Sequence, residues 1–262
     1  MNEEKKIDRR RHYIMVLDTE TANTIEDNGK MDMSNVLMYD CGFAVCDTHG
    51  NIYETRSFVN RDIFIGEREL MRSAYYANKI PQYCREIREG KRKLVNTYDI
   101  RKEMLSLMEL YRIKEVCAHN ARFDINALNT TLRYVTKSKS RYWFPYGTEV
   151  WCSMIMARSV IHKMPTYRQF CEDWDLFTAN GKLSTTAENL YRYIIDDATY
   201  TEEHTGLEDV LIEKEILAKC YRQHKAMKKV LYSGEKHLTD KQLSDIIISV
   251  IKRAGNLSHP LR

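Results

Sequence analysis

Tyr13-Ile-Met-Val-Leu-Asp-Thr-Glu-Thr21 is the stretch on which the fold turns. Its apolar first half is rich in strand formers and follows a charged leader, the pattern of a short strand buried on both faces. Its polar end places Asp18 and Glu20 two positions apart. Strand side chains alternate with period two, so both carboxylates project to the same side. Such neighbours repel unless a hard cation lies between them, and Mg²⁺ or Mn²⁺ prefers oxygen ligands of this kind. Two acids capping a strand end at the surface would give the same local pattern.

Working outward, Leu37 to Val45 and Asn51 to Val59 read as two more strands joined by Asp47-Thr-His-Gly50, a β-hairpin following the first strand. Residues 60–95 are mixed and charged, and Leu70, Met71, Ala74 and Ala77 suggest a helix ended near Pro81. Ile100 to Tyr111 has helical spacing, and Lys114-Glu-Val-Cys-Ala118 then reads as a short buried strand leading straight into His119-Asn-Ala-Arg-Phe-Asp124. From Phe123 the pattern turns helical, with Asp124 in the first turn. Further helices are expected over Trp151 to Ile161, over Ala187 to Ile195, for about four turns from Leu207, and over Thr239 to Gly255. Strands first, then helices alternating with a strand, predict a mixed α/β domain with helices covering a sheet.

The 262 residues are 43% hydrophobic and 30% charged with 10 Gly and 4 Pro, which excludes collagen-like and wholly disordered chains. Apolar runs reach only about five residues, far short of the roughly 20 of a membrane span. The charged start lacks the apolar run of a secretory signal, so a cytoplasmic protein with no membrane partner is expected. Seven cysteines without a CxxC pair fit neither a disulfide framework nor a zinc site and read as reduced thiols. A net charge of +4 identifies no partner, but its distribution is uneven. Thr131 to Arg168 holds seven Lys or Arg against Glu149, whereas Asp196 to Glu215 holds eight acids against Lys214.

His204-Thr-Gly-Leu-Glu-Asp209 opens the helix that begins near Leu207. Five residues advance a helix by about 500°, leaving about 140° between His204 and Asp209, so they would not share a helical face. His204 therefore belongs to a loop that folds back, Gly206 helping the turn, while Asp209 projects from the helix. Singly, Asp124 also fits a first-turn acid favoured by the helix dipole, and Asp209 fits a solvated acidic face with Glu202, Glu203, Glu208, Glu213 and Glu215.

Together, Val16-Leu-Asp-Thr-Glu-Thr21, His119-Asn-Ala-Arg-Phe-Asp124 and His204-Thr-Gly-Leu-Glu-Asp209 occur in the order of three family motifs, and over residues 12–220 the chain resembles the DnaQ-like, or DEDDh, family of 3′ to 5′ exonucleases. The resemblance implies a ribonuclease H-like fold, a mixed central sheet flanked by helices. It implies that Asp18, Glu20, Asp124 and Asp209 bind two divalent ions, Mg²⁺ or Mn²⁺, and that His204 is the general base. It also makes Thr19, Thr21, Asn120 and Phe123 candidates for holding the substrate end. Two departures stand out. Ala22-Asn23-Thr24 follows the first motif where family members commonly carry a Gly, and Ile63 to Lys93 looks like an insertion.

In that chemistry the ions, about 3.5 to 4 Å apart, clamp the scissile phosphate. The expected product is a nucleoside 5′-monophosphate from the 3′ end of single-stranded DNA or RNA. Arg133, Lys137, Lys139 and Arg141, interleaved with Tyr134, Tyr142, Trp143 and Phe144, offer phosphate contacts and stacking surfaces, or else a loop whose aromatics close over the core. Arg85, Arg88, Lys91, Arg92 and Lys93 could extend that track. The expected organisation is a charged leader over residues 1–11, a nuclease domain over 12–220 and a helical C-terminal extension over 221–262. A rival reading makes the chain a polymerase- or complex-associated module, the extension serving for docking to a protein partner or for self-association.

Overall fold

The computed structural model describes residues 7–22, 36–74 and 76–232. Strand β1 (Tyr13–Thr21) lies at the centre of the sheet. It sends Tyr13, Met15 and Leu17 into one apolar cluster and Ile14 and Val16 into another on the opposite face, all of them buried. Truncating a side chain such as Leu17 to Ala in a core of this kind costs about 2–5 kcal/mol.

The expected hairpin follows as β2 (Met38–Asp47) and β3 (Ile52–Asn60), antiparallel to one another and paired through β2 to β1. Then come α1 (Arg61–Phe64), α2 (Arg68–Ser73), α3 (Ile80–Arg88), β4 (Lys93–Val95) and α4 (Thr97–Tyr111). Strand β5 (Glu115–Ala118) runs parallel to β1 and leads into α5 (Arg122–Thr136). The remainder is β6 (Glu149–Cys152), α6 (Ser153–Ser159), α7 (Pro165–Asp173), α8 (Ala187–Ile195), α9 (Gly206–Arg222) and β7 (Val230–Tyr232). The seven strands order as β4-β3-β2-β1-β5-β6-β7, a mixed sheet. Helices α4 and α5 cover the Met15 face through Ile100, Met104, Leu128 and Leu132. Helices α6, α8 and α9 cover the Val16 face through Met156, Leu190, Val210 and Ile216.

Because β1 and β5 are parallel neighbours, their C-terminal ends open on the same edge, where α/β sheets bind ligands. The β1–β2 register slips there. Glu20 pairs with Asp40 but Thr21 pairs with Met38, leaving Tyr39 as an extra residue. Such a bulge adds twist and re-aims side chains at a sheet edge.

Several elements differ from the sequence expectation. Pro81 lies in the first turn of α3, where a missing N–H costs nothing, so it starts a helix instead of ending one. Trp151 and Cys152 belong to β6, because Val150, Trp151 and Cys152 are buried and pair with β5; the helix begins only at Ser153. The boundary at residue 220 falls inside α9, and β7 adds to the sheet edge beside β6, so residues 223–232 are not helical. The helix expected over Thr239 to Gly255 lies outside the described residues, as do most of residues 1–11. The insertion has its own apolar cluster, in which Ile63, Phe64, Met71 and Tyr83 pack on Leu37, Tyr39 and Val59 of the hairpin region. All seven cysteines are free. No helix among the described residues is long and apolar enough to cross a membrane.

Candidate active site

Asp18 and Glu20 emerge at the β1 edge as the period-two reading requires, and the other motif acids are brought to them by two helix starts. Asp124, in the first turn of α5, is buried against β1 and accepts hydrogen bonds from the Thr19 backbone N–H at 3.1 Å and the Thr19 hydroxyl at 2.9 Å. Thr19 thus fastens the second motif to the first. Asn120 makes the turn between β5 and α5 with φ of 57°, a left-handed conformation that Asn tolerates.

Asp209 arrives through a close backbone crossing. A Cβ on Gly206 would lie 2.6 Å from the Gly42 nitrogen and 3.3 Å from the Asp18 carbonyl oxygen. Only glycine lets the start of α9 lie this low on β1 and β2, so Gly206 serves close approach and not the turn. The Gly206 N–H, an orphan donor at the helix start, is taken by Asp40 Oδ2 of β2 at 3.0 Å. That carboxylate also accepts from Tyr83 Oη at 2.7 Å and from the Arg92 guanidinium at 3.1 Å. Arg92 reaches on to Glu86 at 2.5 Å and Glu208 at 2.8 Å. The insertion therefore buckles the third motif onto the sheet.

Ligand oxygens of Asp18, Glu20 and Asp209 lie within 4.8 Å of one another. Burial, followed by repulsion from Asp124 at Asp18 and from Asp209 at Glu20, raises both first-motif acids well above the usual carboxylate range. Burial pushes Asp209 up to about 8 and Asp124 up to about 7, the latter against the two Thr19 hydrogen bonds. Asp209 Oδ1 is buried without a hydrogen-bond partner. Converging acids that disfavour ionisation, one with an orphaned oxygen, fit divalent cations as their counter-charge.

His204 lies in the loop before α9 with φ of 49°. Lys79 of the insertion donates to the Glu203 and His204 carbonyl oxygens, holding that loop. The Tyr76 ring stacks on the imidazole with centroids 5.3 Å apart and planes 20° apart. His204 Nδ1 is 3.7 Å from Glu202 Oε2. Burial, then the Lys79 charge, lowers the imidazole's pKa. Ligand atoms of Glu188, Glu202 and His204 also cluster, but Glu188 is engaged by Arg192 at 2.8 Å and by the Glu202 N–H at 2.8 Å, a network that supports the loop.

All five motif residues, with Thr19, Thr21, Asn120 and Phe123, line one cleft of about 600 Å³. His119 lines it too but is spoken for: its Nε2–H donates to the Thr185 carbonyl and its Nδ1 accepts from Ser153 Oγ, both at 2.8 Å. Burial lowers it to about 4, keeping it neutral.

Arg133, Lys137, Lys139 and Arg141 are not among the residues lining the cleft. Arg133 is nine residues past Asp124, about 13 Å along α5 at 1.5 Å per residue. It donates to the Arg141 carbonyl at 2.9 Å and lies over Tyr142, while Lys137 lies over Tyr134. Trp143 is fully buried with its indole N–H on Met104 Sδ, so it is core and not a stacking surface. Arg92, expected to extend a basic track, is buried in the Asp40 buckle.

Sequence reading missed Glu213, Tyr76, Lys79 and Arg158. Glu213 is 2% exposed and lines the cleft, its Oε2 lacking a partner and its pKa raised well above the usual range by burial and Asp124. It stands one turn after Asp209 in the stripe of Val210, Ile216 and Leu217, and a charge inside an apolar stripe is a readable sign of a buried acid.

No protein-family model matches the chain, and no curated protein matches it in sequence. Among solved structures, exonuclease I without ligand superposes with a TM-score of 0.50 at 16% identity, covering 81% of this chain and 42% of that one. Exonuclease I of E. coli with a dT13 oligonucleotide gives 0.48 at 14% identity over 82% of this chain and 41% of that one. The zinc-bound complex of the E. coli enzyme with single-stranded DNA gives 0.46 at 13% identity over 82% and 41%. The chain thus spans about two fifths of the length of these proteins. The likeness is one of fold: α/β, a seven-stranded mixed sheet flanked by helices, of the ribonuclease H-like kind.

Proposed function

We propose that this chain is a metal-dependent 3′ to 5′ exonuclease that releases nucleoside 5′-monophosphates from single-stranded DNA or RNA. The observation that carries the reading is the convergence of Asp18, Glu20 and Asp209 oxygens within 4.8 Å, with Asp209 Oδ1 buried and unpartnered. Support also comes from the three motifs in order, and from a ribonuclease H-like fold shared with exonuclease I.

When bound, two divalent ions, Mg²⁺ or Mn²⁺, supply Lewis acidity to the phosphate and lower the pKa of the attacking water. Asp18, Glu20 and Asp209 would hold them, with Asp124 fixed beside β1 by Thr19 as the fourth acid. His204 is the general base. Its lowered pKa leaves the imidazole neutral at pH 7, and with Nδ1 facing Glu202 the free Nε2 takes the proton from water. The water oxygen bonds to phosphorus as the bond to the 3′ oxygen breaks, leaving a 5′-monophosphate and a shortened strand. Tyr76 and Phe123 are aromatic walls of the cleft against which a terminal base can stack.

The test is a digest of single-stranded DNA and RNA, labelled at either end, with Mg²⁺ or Mn²⁺ and with chelator. A ladder shortening stepwise from the 3′ end is expected, lost in Asp18→Ala and Asp124→Ala proteins that keep their circular dichroism. Internal cuts, no products, or wild-type turnover in either variant would sink the assignment. The docking alternative rests on the C-terminal segment, most of which lies outside the described residues, and no observation favours it.

A further inference from the structure

The cleft is acidic. Apart from its histidines, the one basic residue lining it among the described residues is Arg158, at the end of α6. Arg158 also lines a second hollow of about 560 Å³, together with Ile155, Ser159, Met227 and the exposed Lys163 and Lys228. Among the described residues, no acid lines that hollow. The Arg158 guanidinium is held by Thr185 Oγ1 at 3.3 and 3.4 Å, long contacts that leave its charge for an anion. The wall formed by the segment before β7 is pinned in place: Ser159 Oγ, which donates to the Met156 carbonyl at 3.0 Å, accepts from the Lys228 N–H at 3.2 Å.

We propose that this hollow is the binding track for the 5′-ward part of the substrate strand, a proposal that rests on the exonuclease reading. A strand whose 3′ end lies among the motif acids must leave the cleft along a wall that accepts phosphate. Arg158 is where such a wall begins, and Lys163 and Lys228 continue it. Ile155 and the half-buried Met227 give the hollow an apolar surface for a base, so cationic and apolar chemistry alternate as a single strand requires. The occupant is a polynucleotide backbone, read by charge and not by base identity. The track thus runs along α6 and the approach to β7, away from the far end of α5 where Arg133 to Arg141 cluster.

The experiment measures binding of a fluorescently labelled oligothymidine of about a dozen residues, in Ca²⁺ so that the strand survives, over a salt series. Each phosphate contact on a single strand contributes about 0.7 to the slope of log affinity against log salt. The double variant Lys163→Gln, Lys228→Gln is expected to lower the slope by about 1.4, so that raising salt from about 50 to about 200 mM weakens it roughly sevenfold less than wild type. Arg158→Gln is expected to lower the slope by about 0.7. Wild-type slopes in these variants overturn the track, as does a slope that falls only when Arg133, Lys137, Lys139 and Arg141 are neutralised. Mononucleotide release by wild type with Mg²⁺ is scored in parallel. Its absence refutes the nuclease reading, whereas its presence with unchanged slopes refutes the track alone.

Discussion

Gly206→Ala is the substitution that most directly tests how the site is aimed. The added Cβ would lie 2.6 Å from the Gly42 nitrogen, where ordinary van der Waals contact begins near 3.4 Å, so the start of α9 must retreat by about 0.8 Å. Backbone surrounds it, at Gly42 and at the Asp18 carbonyl, and neither can swing aside. Retreat stretches the 3.0 Å bond from the Gly206 N–H to Asp40 and carries Asp209 away from Asp18 and Glu20. Overpacking of this kind costs about 1–3 kcal/mol, read as an earlier midpoint in urea. Misplacing a catalytic group by about 1 Å costs on the order of 100-fold in rate, read as 3′ mononucleotide release with Mg²⁺, and Mn²⁺ affinity measured by calorimetry should fall with it. Alanine at Gly90, whose Cβ meets nothing within 4 Å but which strains a backbone at φ of 74°, controls for lost stability that leaves the aim of α9 unchanged. Wild-type turnover and metal affinity in Gly206→Ala would show that the crossing does not position Asp209.

The acids make a linked prediction about pH and metal. Asp209 at about 8 and Asp124 at about 7 lie above the 3.8 of an unperturbed aspartate, so between these values the unfolded chain holds fewer protons than the folded one. Metal-free stability is then full below about pH 4, falls as pH rises and levels above about pH 8. Melting with chelator should be lower at about pH 8 than at about pH 5, and Mn²⁺ should restore more at the higher pH; a Tm indifferent to both would refute the metal centre. Lys79→Met removes a charge that lowers the His204 pKa, so the acid limb of the activity profile should move to higher pH, and an unmoved limb would show that His204 does not set it. Tyr76→Ala removes the ring stacked on His204 and should cut turnover several-fold while leaving Mn²⁺ affinity as it was; equal turnover would make the stack incidental.

The first motif was legible because a strand's period is two, which alone puts Asp18 and Glu20 on one side, and Asp124 was legible because a helix pattern visibly starts beside it. Other features depended on distant partners. Arg92 looks like part of a basic run, yet its carboxylate Asp40 is 52 positions away and the pair is buried. Val150-Trp-Cys152 is too short for periodicity to separate a strand from the helix that follows, and pairing with β5 decides it. Arg133, Lys137, Lys139 and Arg141 lie at and beyond the C-terminal end of α5, while the cleft opens at its start, and a run of basic residues carries no sign of which end of a helix it will face. Glu213 looks like one of the solvated acids around it, although its place among Val210, Ile216 and Leu217 marks it as interior.

The buckle at Asp40 also sets a timetable for the growing chain. Its contact with Gly206 spans 166 positions, and those of Lys79 with His204 and of Thr19 with Asp124 span 125 and 105. At a synthesis rate of about 5 to 20 residues per second, Asp40 emerges some 8 to 33 s before the helix start it caps. Through that interval β1 and its hairpin can pair while a carboxylate destined for full burial still faces water. The ribosome therefore delivers a half-sheet first and a working edge last, and a chain released before α9 holds the first two motifs without the helix that brings the third to them.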